Sequence, residues 1–342
     1  MSFWQNIPKP IIGLAPMDGV TDVAFREMVV KYSKPSVLYS EFTNVQGLWV
    51  GKLEVFKSLL FTAKQRPIVA QLFGAEPNYF YKAAHIVAQL GFDGIDINMG
   101  CPAKNIVGKN GGASLITQPK LAQKIIKATQ KGVTDWFAGQ TLSNLELDRD
   151  KISWIKSHKI PSKEKLLIPV SVKTRLGFDK NTVADWTDTL LQSQPAAICV
   201  HGRTFKQGYA GQADWEAIAS VASKIRKSGV MYLGNGDIKN YQEALDKTQQ
   251  YQLDGVLVGQ ATFGNPWFFS RKVETISASE KIKVLLEQSQ LHIKLKGEKR
   301  FSELKKHFGW YCKGFDGAKE LRVRLMQVDN FLQMKKTLSK YT

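Results

Sequence analysis

Pro10-Ile11-Ile12-Gly13-Leu14-Ala15-Pro16-Met17-Asp18-Gly19 decides the fold. Its first half is a short run of branched apolar residues, as expected of a parallel strand buried on both faces. A doubly wound sheet would usually follow such a first strand with a glycine-rich dinucleotide loop. Ala15-Pro16-Met17-Asp18-Gly19 is no such loop. Seven more runs of the same kind follow: Ser36-Val37-Leu38-Tyr39-Ser40, Pro67-Ile68-Val69-Ala70-Gln71-Leu72, Gly94-Ile95-Asp96-Ile97-Asn98, Pro169-Val170-Ser171-Val172-Lys173, Ala197-Ile198-Cys199-Val200-His201, Val230-Met231-Tyr232-Leu233-Gly234 and Gly255-Val256-Leu257-Val258-Gly259. Helix-like stretches lie between them, among them 78–90, 119–131 and 240–249. Strand and helix alternating eight times imply a parallel sheet joined by crossovers. Eight units before residue 269 predict an α/β fold, a (β/α)8 TIM barrel, whose usual size is ~250 residues.

The spacing breaks once, between the fourth and fifth strands. Residues 133–166 are predicted to be an insertion, a surface excursion with a short helix. After residue 269 the β-branched runs stop and helical patterning takes over, which predicts a small all-helical C-terminal domain over 270–342 behind a barrel over 1–269. That tail holds 17 Lys/Arg against 8 Asp/Glu, half of the chain's net +18 in about a fifth of its 342 residues. Phe301, His307, Phe308, Trp310, Tyr311 and Phe315 interleave with the bases. They suit the core of a small domain whose basic outer face meets a polyanion; nucleic acid fits, as does an anionic membrane surface or plain solubility.

Composition excludes other classes. With 43% hydrophobic and 23% charged residues the chain is an ordinary globular protein. No run approaches the ~18 apolar residues of a membrane span. The opening MSFWQNIPKP lacks the pattern of a secretory signal. Three cysteines without a CxxC pair argue against a disulfide scaffold or cysteine zinc site and for a reducing compartment. A cytoplasmic, non-membrane protein is expected, with no protein partner implied and a monomer as the working expectation.

Active sites of such barrels lie at the C-terminal ends of the strands. Gln71, Asn98, Lys173, Arg175, His201, Arg203, Asn235 and Gln260 fall there, with Cys101 just beyond. A lysine and a histidine on adjacent strand ends are expensive to bury unpartnered. An anionic ligand would supply the partner; so would a barrel carboxylate such as Asp96. Gly234-Asn235-Gly236-Asp237 and Gly259-Gln260 occupy the usual phosphate position, where small residues let backbone approach closely. A phosphorylated cofactor such as FMN is a reasonable occupant. Cys199 and Cys312 read as packing residues. Cys101 sits in a polar turn, where it could be a nucleophile, a proton donor or a chance loop residue. Gly108-Lys109-Asn110-Gly111-Gly112-Ala113 reads as a mobile lid over an anionic substrate or as a solvated turn.

Ordered motifs then tie these segments together: Ala15-Pro16-Met17-Asp18-Gly19-Val20-Thr21-Asp22, Ala70-Gln71-Leu72-Phe73-Gly74, Asp96-Ile97-Asn98-Met99-Gly100-Cys101-Pro102, Val172-Lys173-Thr174-Arg175-Leu176-Gly177, Val200-His201-Gly202-Arg203-Thr204, Gly234-Asn235-Gly236-Asp237 and Gly264-Asn265-Pro266-Trp267, with His307-Phe308-Gly309-Trp310-Tyr311 in the tail. The chain resembles the tRNA-dihydrouridine synthases of bacterial type. The resemblance implies an FMN-binding barrel, a helical tRNA-binding domain, and reduction of the C5–C6 bond of chosen tRNA uridines with NADPH as reductant. By the same resemblance Cys101 is the catalytic proton donor to C5. Pro16, Met17, Asp18 and Gln71 hold the isoalloxazine, and Lys173 and His201 offset the charge of reduced FMN. Asn235, Gly236, Asp237, Gly259 and Gln260 form the phosphate loops, and Asn98 and Arg175 contact the flipped uracil. Two features depart from the family: Gln260 replaces its usual arginine, and 133–166 exceeds its common core. Two competing readings are an FMN-dependent dehydrogenase of a free pyrimidine or small enone, and a non-catalytic RNA-binding protein on a degenerate barrel.

Overall fold

The computed structural model describes residues 3–161, 166–270 and 275–341. Part of the predicted excursion (162–165) and the segment just past the predicted domain boundary (271–274) lie outside the described residues. Nine parallel strands form one sheet: β1 Ile11–Leu14, β2 Leu38–Tyr39, β3 Thr43–Asn44, β4 Ile68–Phe73, β5 Gly94–Met99, β6 Val170–Arg175, β7 Ala197–His201, β8 Met231–Asn235 and β9 Gly255–Val258. The order is β1-β9-β8-β7-β6-β5-β4-β2, with β3 also on β4. Leu14 N donates to Val37 O at 3.0 Å and Ser36 N to Ile12 O at 2.9 Å, so backbone bonds bridge β1 to the residues leading into β2. The sheet is a nearly closed eight-stave barrel. Its second stave is split into β2 and β3 by Ser40-Glu41-Phe42, which leaves Phe42 in the loop between them.

Register places the polar strand ends side by side. Gln71 faces Asp96, Asn98 faces Lys173, Arg175 faces His201, and His201 faces Asn235. The helices follow their sequence signals. Helix Pro77–Leu90 has proline in its first turn and ends at Gly91, whose φ of 93° is the left-handed geometry glycine accepts. Asp22 caps helix Val23–Tyr32, Asn240 caps Tyr241–Gln250 and Ser277 caps Ala278–Lys296, each accepting a backbone N–H with its side chain.

The start of the 133–166 segment corrects its expectation. Residues 133–137 continue helix Pro119–Phe137, and the excursion then turns into helix Arg149–His158. The excursion carries the expected short helix and is mostly exposed, with Leu142, Leu147 and Ile155 anchoring it in the main core. The buried Lys151 ammonium donates to Trp49 O and pairs with Asp148 at 2.9 Å.

The C-terminal helices Ala278–Lys296, Lys305–Tyr311, Ala318–Met326 and Phe331–Leu338 enclose a core of their own. Ile282, Leu285, Phe301, Phe308, Tyr311, Leu321, Leu325 and Met334 make it, and Met28 from the barrel helix Val23–Tyr32 completes it. Charge also crosses this junction. Lys296 Nζ lies 2.7 Å from Glu303, 3.3 Å from Asp22 and 3.9 Å from Glu41, while His292 Nδ1 is 2.8 Å from Asp22. Burial opposes ionisation of Asp22, but His292 and Lys296 hold its carboxyl far below the usual range. Glu41, buried beside Asp22, is pushed up to about 7. Breaking such a network by removing one member costs about 3–5 kcal/mol, because the remaining charge stays buried.

Candidate active site

The strand ends surround a cavity of about 870 Å³ at the C-terminal mouth of the barrel. The residues that the family resemblance assigns to the site all line it: Pro16, Met17 and Asp18 after β1, Gln71 on β4, Asn98 and Cys101 at the end of β5, Lys173 and Arg175 on β6, His201 on β7, Asn235, Gly236 and Asp237 at β8, and Gly259 and Gln260 after β9; Asp96 and the 108–113 segment do not. Residues from seven staves meet because parallel strands all end on one face.

A hydrogen-bonded chain runs along one wall. Ser171 Oγ donates to Asp96 Oδ1 at 2.7 Å, and Gln71 Nε2 donates to Asp96 Oδ2 at 2.6 Å. Asn98 Nδ2 donates to Gln71 Oε1 at 2.9 Å. Asn98 Oδ1 then accepts the N–H groups of Gly100 (3.1 Å) and Cys101 (2.8 Å). Both amides are thereby fixed in orientation. Asn98 keeps one N–H for a ligand. Burial raises Asp96 to about 6, with Gln71 and Ser171 opposing the shift.

The Cys101 turn is braced from both sides. Arg175 Nε donates to Gly100 O at 2.7 Å, and its Nη1 reaches Thr204 O (3.0 Å) and Gly208 O (2.9 Å). Gly112, at φ 59°, lies so close that a Cβ there would stand 3.2 Å from Cys101 Cβ. The thiol is half-buried, and desolvation raises its pKa above the usual value. It is therefore a neutral S–H at physiological pH, suited to giving a proton and poorly suited to nucleophilic attack.

The opposite wall is cationic. Lys173 does not pair with Asp96: its Nζ donates to Asn235 Oδ1 at 2.9 Å, an amide that gives it no counter-charge. Burial lowers its pKa. His201 is pushed well below its ordinary value, by burial first and then by Lys173, Arg175 and Arg203, so its imidazole is neutral. Arg203 clamps Asp237 with two bonds, 2.8 and 2.7 Å long. Asp237 also accepts Ala213 N at 2.7 Å. The Asp237 carboxylate thus braces its loop, and only its backbone is left to face an anion.

The loops after β8 and β9 have the features of a phosphate cradle. Gly236 has φ 131°, and a Cβ there would come within 2.6 Å of Ala213 and 3.2 Å of the His201 ring. A Cβ on Gly259 would stand 3.2 Å from Met17 Sδ. Among the described residues, the backbone N–H groups of Gly236, Asp237, Gln260 and Ala261 meet no protein acceptor. Unused N–H groups, an ammonium without a carboxylate and a large partly apolar cavity fit a planar, phosphorylated cofactor of the FMN kind. Gln260 is exposed and brings no charge, and Arg203 is committed to Asp237.

Sequence reasoning passed over Phe42, Tyr209 and Phe263, which also line the mouth, and left Arg203 without a role. Arg203 was visible as a polar strand end. Phe42 carried no signal, a lone aromatic two residues past the end of the Ser36–Ser40 run. The tail aromatics turn out to be structural: Phe301, Phe308 and Tyr311 are core, and Trp310 stacks on Phe263 at 4.1 Å.

The family described as Dihydrouridine synthase (Dus) matches over residues 13–137 and 158–341. The unmatched 138–157 falls inside the 133–166 segment. A Bacillus subtilis protein named "Probable tRNA-dihydrouridine synthase 2" is 34% identical over 95% of this chain and 92% of its own length. A Staphylococcus aureus "Probable tRNA-dihydrouridine synthase" is 32% identical over 99% of this chain and 95% of its own. Among solved structures, an old yellow enzyme homologue from Zymomonas mobilis overlays 80% of this chain and 92% of that one, with a TM-score of 0.46 and 12% identity.

Proposed function

The chain belongs to the dihydrouridine synthase family of oxidoreductases, and from that premise we propose that it reduces the C5–C6 double bond of a tRNA uridine to 5,6-dihydrouridine, with FMN in the barrel mouth and NADPH as reductant. The observation that carries the proposal is the convergence of a protonated thiol, a lysine without a carboxylate partner and two glycine-bearing loops with unused N–H groups around one cavity.

FMN bound there supplies hydride equivalents to uracil C6. The protein's own groups do the rest. Pro16, Met17, Asp18 and Gln71 hold the ring system, and the loops at Asn235–Asp237 and Gly259–Gln260 take the phosphate through backbone N–H groups. Lys173 offsets negative charge on the reduced cofactor, which a neutral His201 does only by hydrogen bonding. The remaining N–H of Asn98 and the Nη2 group of Arg175 hold the carbonyl oxygens of uracil. Cys101 gives its proton to C5. A uridine reaches this depth only when turned out of its stack.

The helical region 270–342 is the proposed tRNA-binding domain beside a catalytic barrel over 1–269, acting in the cytoplasm on tRNA as a monomer. Its support is an outer face of exposed Lys and Arg over a buried aromatic core. The test is chemical. Purified protein with NADPH should add two hydrogens to one uridine of an unmodified tRNA transcript, read by mass spectrometry. An unchanged transcript with a reducible flavin present refutes the proposal.

A further inference from the structure

Three cavities meet at the barrel mouth, and Asp18 and Phe42 line all of them. The first is the 870 Å³ cavity. The second, about 380 Å³, opens beside it, and Asp18, Phe42 and Ala103 are common to both. Phe42 therefore stands as a partition, with Ala103 placing the Cys101 turn at its foot. Three half-buried aromatic residues, Phe42, Phe73 and Tyr79, face the second cavity, and the Phe42 and Phe73 rings meet edge to face at 5.1 Å. Asn105 and Lys109 close its outer side. The glycine-rich 108–113 segment thus has a place: Gly111 lies against the turn at Gly74, where a Cβ would come within 3.3 Å of Gly74 O. It walls the side cavity and carries Lys109 to the rim.

The proposed substrate is a strand, so a uridine delivered to the first cavity brings its neighbours to the mouth. Turning one base out breaks its stacking with those neighbours and leaves an adjacent base with an open π-face. Aromatic side chains satisfy such a face without regard to base identity. We propose that the side cavity receives the base next to the target uridine, with Phe42 the positioning residue that separates the two bases and keeps the target from restacking. Exposed amides and the Lys109 ammonium are the groups a base edge and its phosphate would meet. The inference rests on the RNA reading given above.

A protein–RNA cycle tests it. Wild type, Phe42→Ala and Phe42→Trp are each assayed for dihydrouridine formation on an RNA with the mapped target and on analogues made abasic immediately 5′ or 3′ of it. NADPH reduction of the flavin serves as the control for an intact barrel. Phe42→Ala should lower kcat/KM on intact RNA by roughly tenfold or more, with flavin reduction unchanged, and Phe42→Trp should restore it. Removing one neighbouring base should reduce wild-type turnover by a similar factor and Phe42→Ala no further. Losses that multiply, or an unaffected Phe42→Ala, overturn the inference. If Phe42→Ala loses its flavin, Ala75→Phe fills the side cavity from its far wall; it should slow intact RNA and spare the abasic analogue, and equal rates on both RNAs with no loss against wild type overturn the inference. A wild-type enzyme that forms no dihydrouridine overturns the RNA reading itself, an outcome distinct from these.

Discussion

Lys173 Nζ points at Asn235 Oδ1, 2.9 Å away, while the carboxylate of Asp96 is taken by Gln71 and Ser171. An ammonium in the barrel wall is left with an amide for company and with a positive charge facing the cavity. Lys173→Gln should therefore make the bound flavin harder to reduce. A dye-coupled titration should read a more negative midpoint potential, and NADPH should bleach the flavin at least tenfold more slowly. An unchanged potential would mean that Lys173 serves packing alone.

Cys101→Ala should keep its flavin and its NADPH oxidation but form dihydrouridine about 10²–10⁴ times more slowly, the usual loss on removing a general acid. Burial raises the thiol pKa, and the reactive form is the protonated one, present below that pKa. Turnover by the wild type should hold level through neutral pH and fall only on the alkaline side. A fall already near pH 7 would show that the thiolate dominates.

Gln260 brings no charge to the loop after β9, Arg203 is clamped to Asp237, and Lys239 is the remaining cation of the phosphate loops that lines the cavity. Gln260→Arg should tighten FMN retention about tenfold, measured as the Kd of flavin released by dilution. Looser binding would place the phosphate elsewhere.

Lys306, from the tail, reaches the barrel mouth: its Nζ lies where a Cβ on Gly19 would be 2.6 Å away. Lys306→Glu should weaken tRNA binding and reduce the salt slope of log K by about 1, without altering flavin reduction by NADPH. Deleting the whole tail is a poorer test, because Asp22 and Glu41 depend on His292 and Lys296 across the junction.

Glu41 binds a proton up to about pH 7 in the folded protein and up to about 4.5 in the unfolded chain. Its folded pKa is raised, so folding takes up a proton between those values and stability falls as pH rises through that window, by up to about 3 kcal/mol. Buried neutral His201 and His307 act in the opposite sense. The difference between wild type and Glu41→Gln isolates the term: urea midpoints should converge below about pH 4.5 and favour the variant at pH 8. Parallel curves would remove Glu41 from the pH response. Lys296→Met should lower stability by about 3–5 kcal/mol at neutral pH.

The barrel and its mouth were legible because parallel strands impose a simple grammar. Apolar runs of strand length mark the staves, and the first polar residue past each run must point to the same rim. All the residues expected at the site converge there for that reason. What the sequence could not show was pairing. Lys173 with Asp96 and Lys173 with Asn235 look alike in one dimension, since the sequence does not tell that Asp96, mid-strand on neighbouring β5, is taken by other side chains while Asn235, at the end of β8 two staves away, reaches the ammonium. Residues 133–137 looked like the start of an excursion because the apolar spacing lapses, yet the helix continues and Ile155 returns to the core. The Asp22–His292–Lys296 junction was invisible, because its members lie some 270 residues apart and each alone reads as a surface charge.

The most direct test of the central claim is anaerobic. The flavin is reduced with NADPH, the excess is removed, and flavin absorbance is followed after adding tRNA lacking dihydrouridine, with free uridine and orotate as controls. Rapid reoxidation by tRNA alone, matched by dihydrouridine formed, is the predicted result. Reoxidation by a free pyrimidine but not by tRNA, or a protein that binds tRNA and carries no flavin, would contradict it.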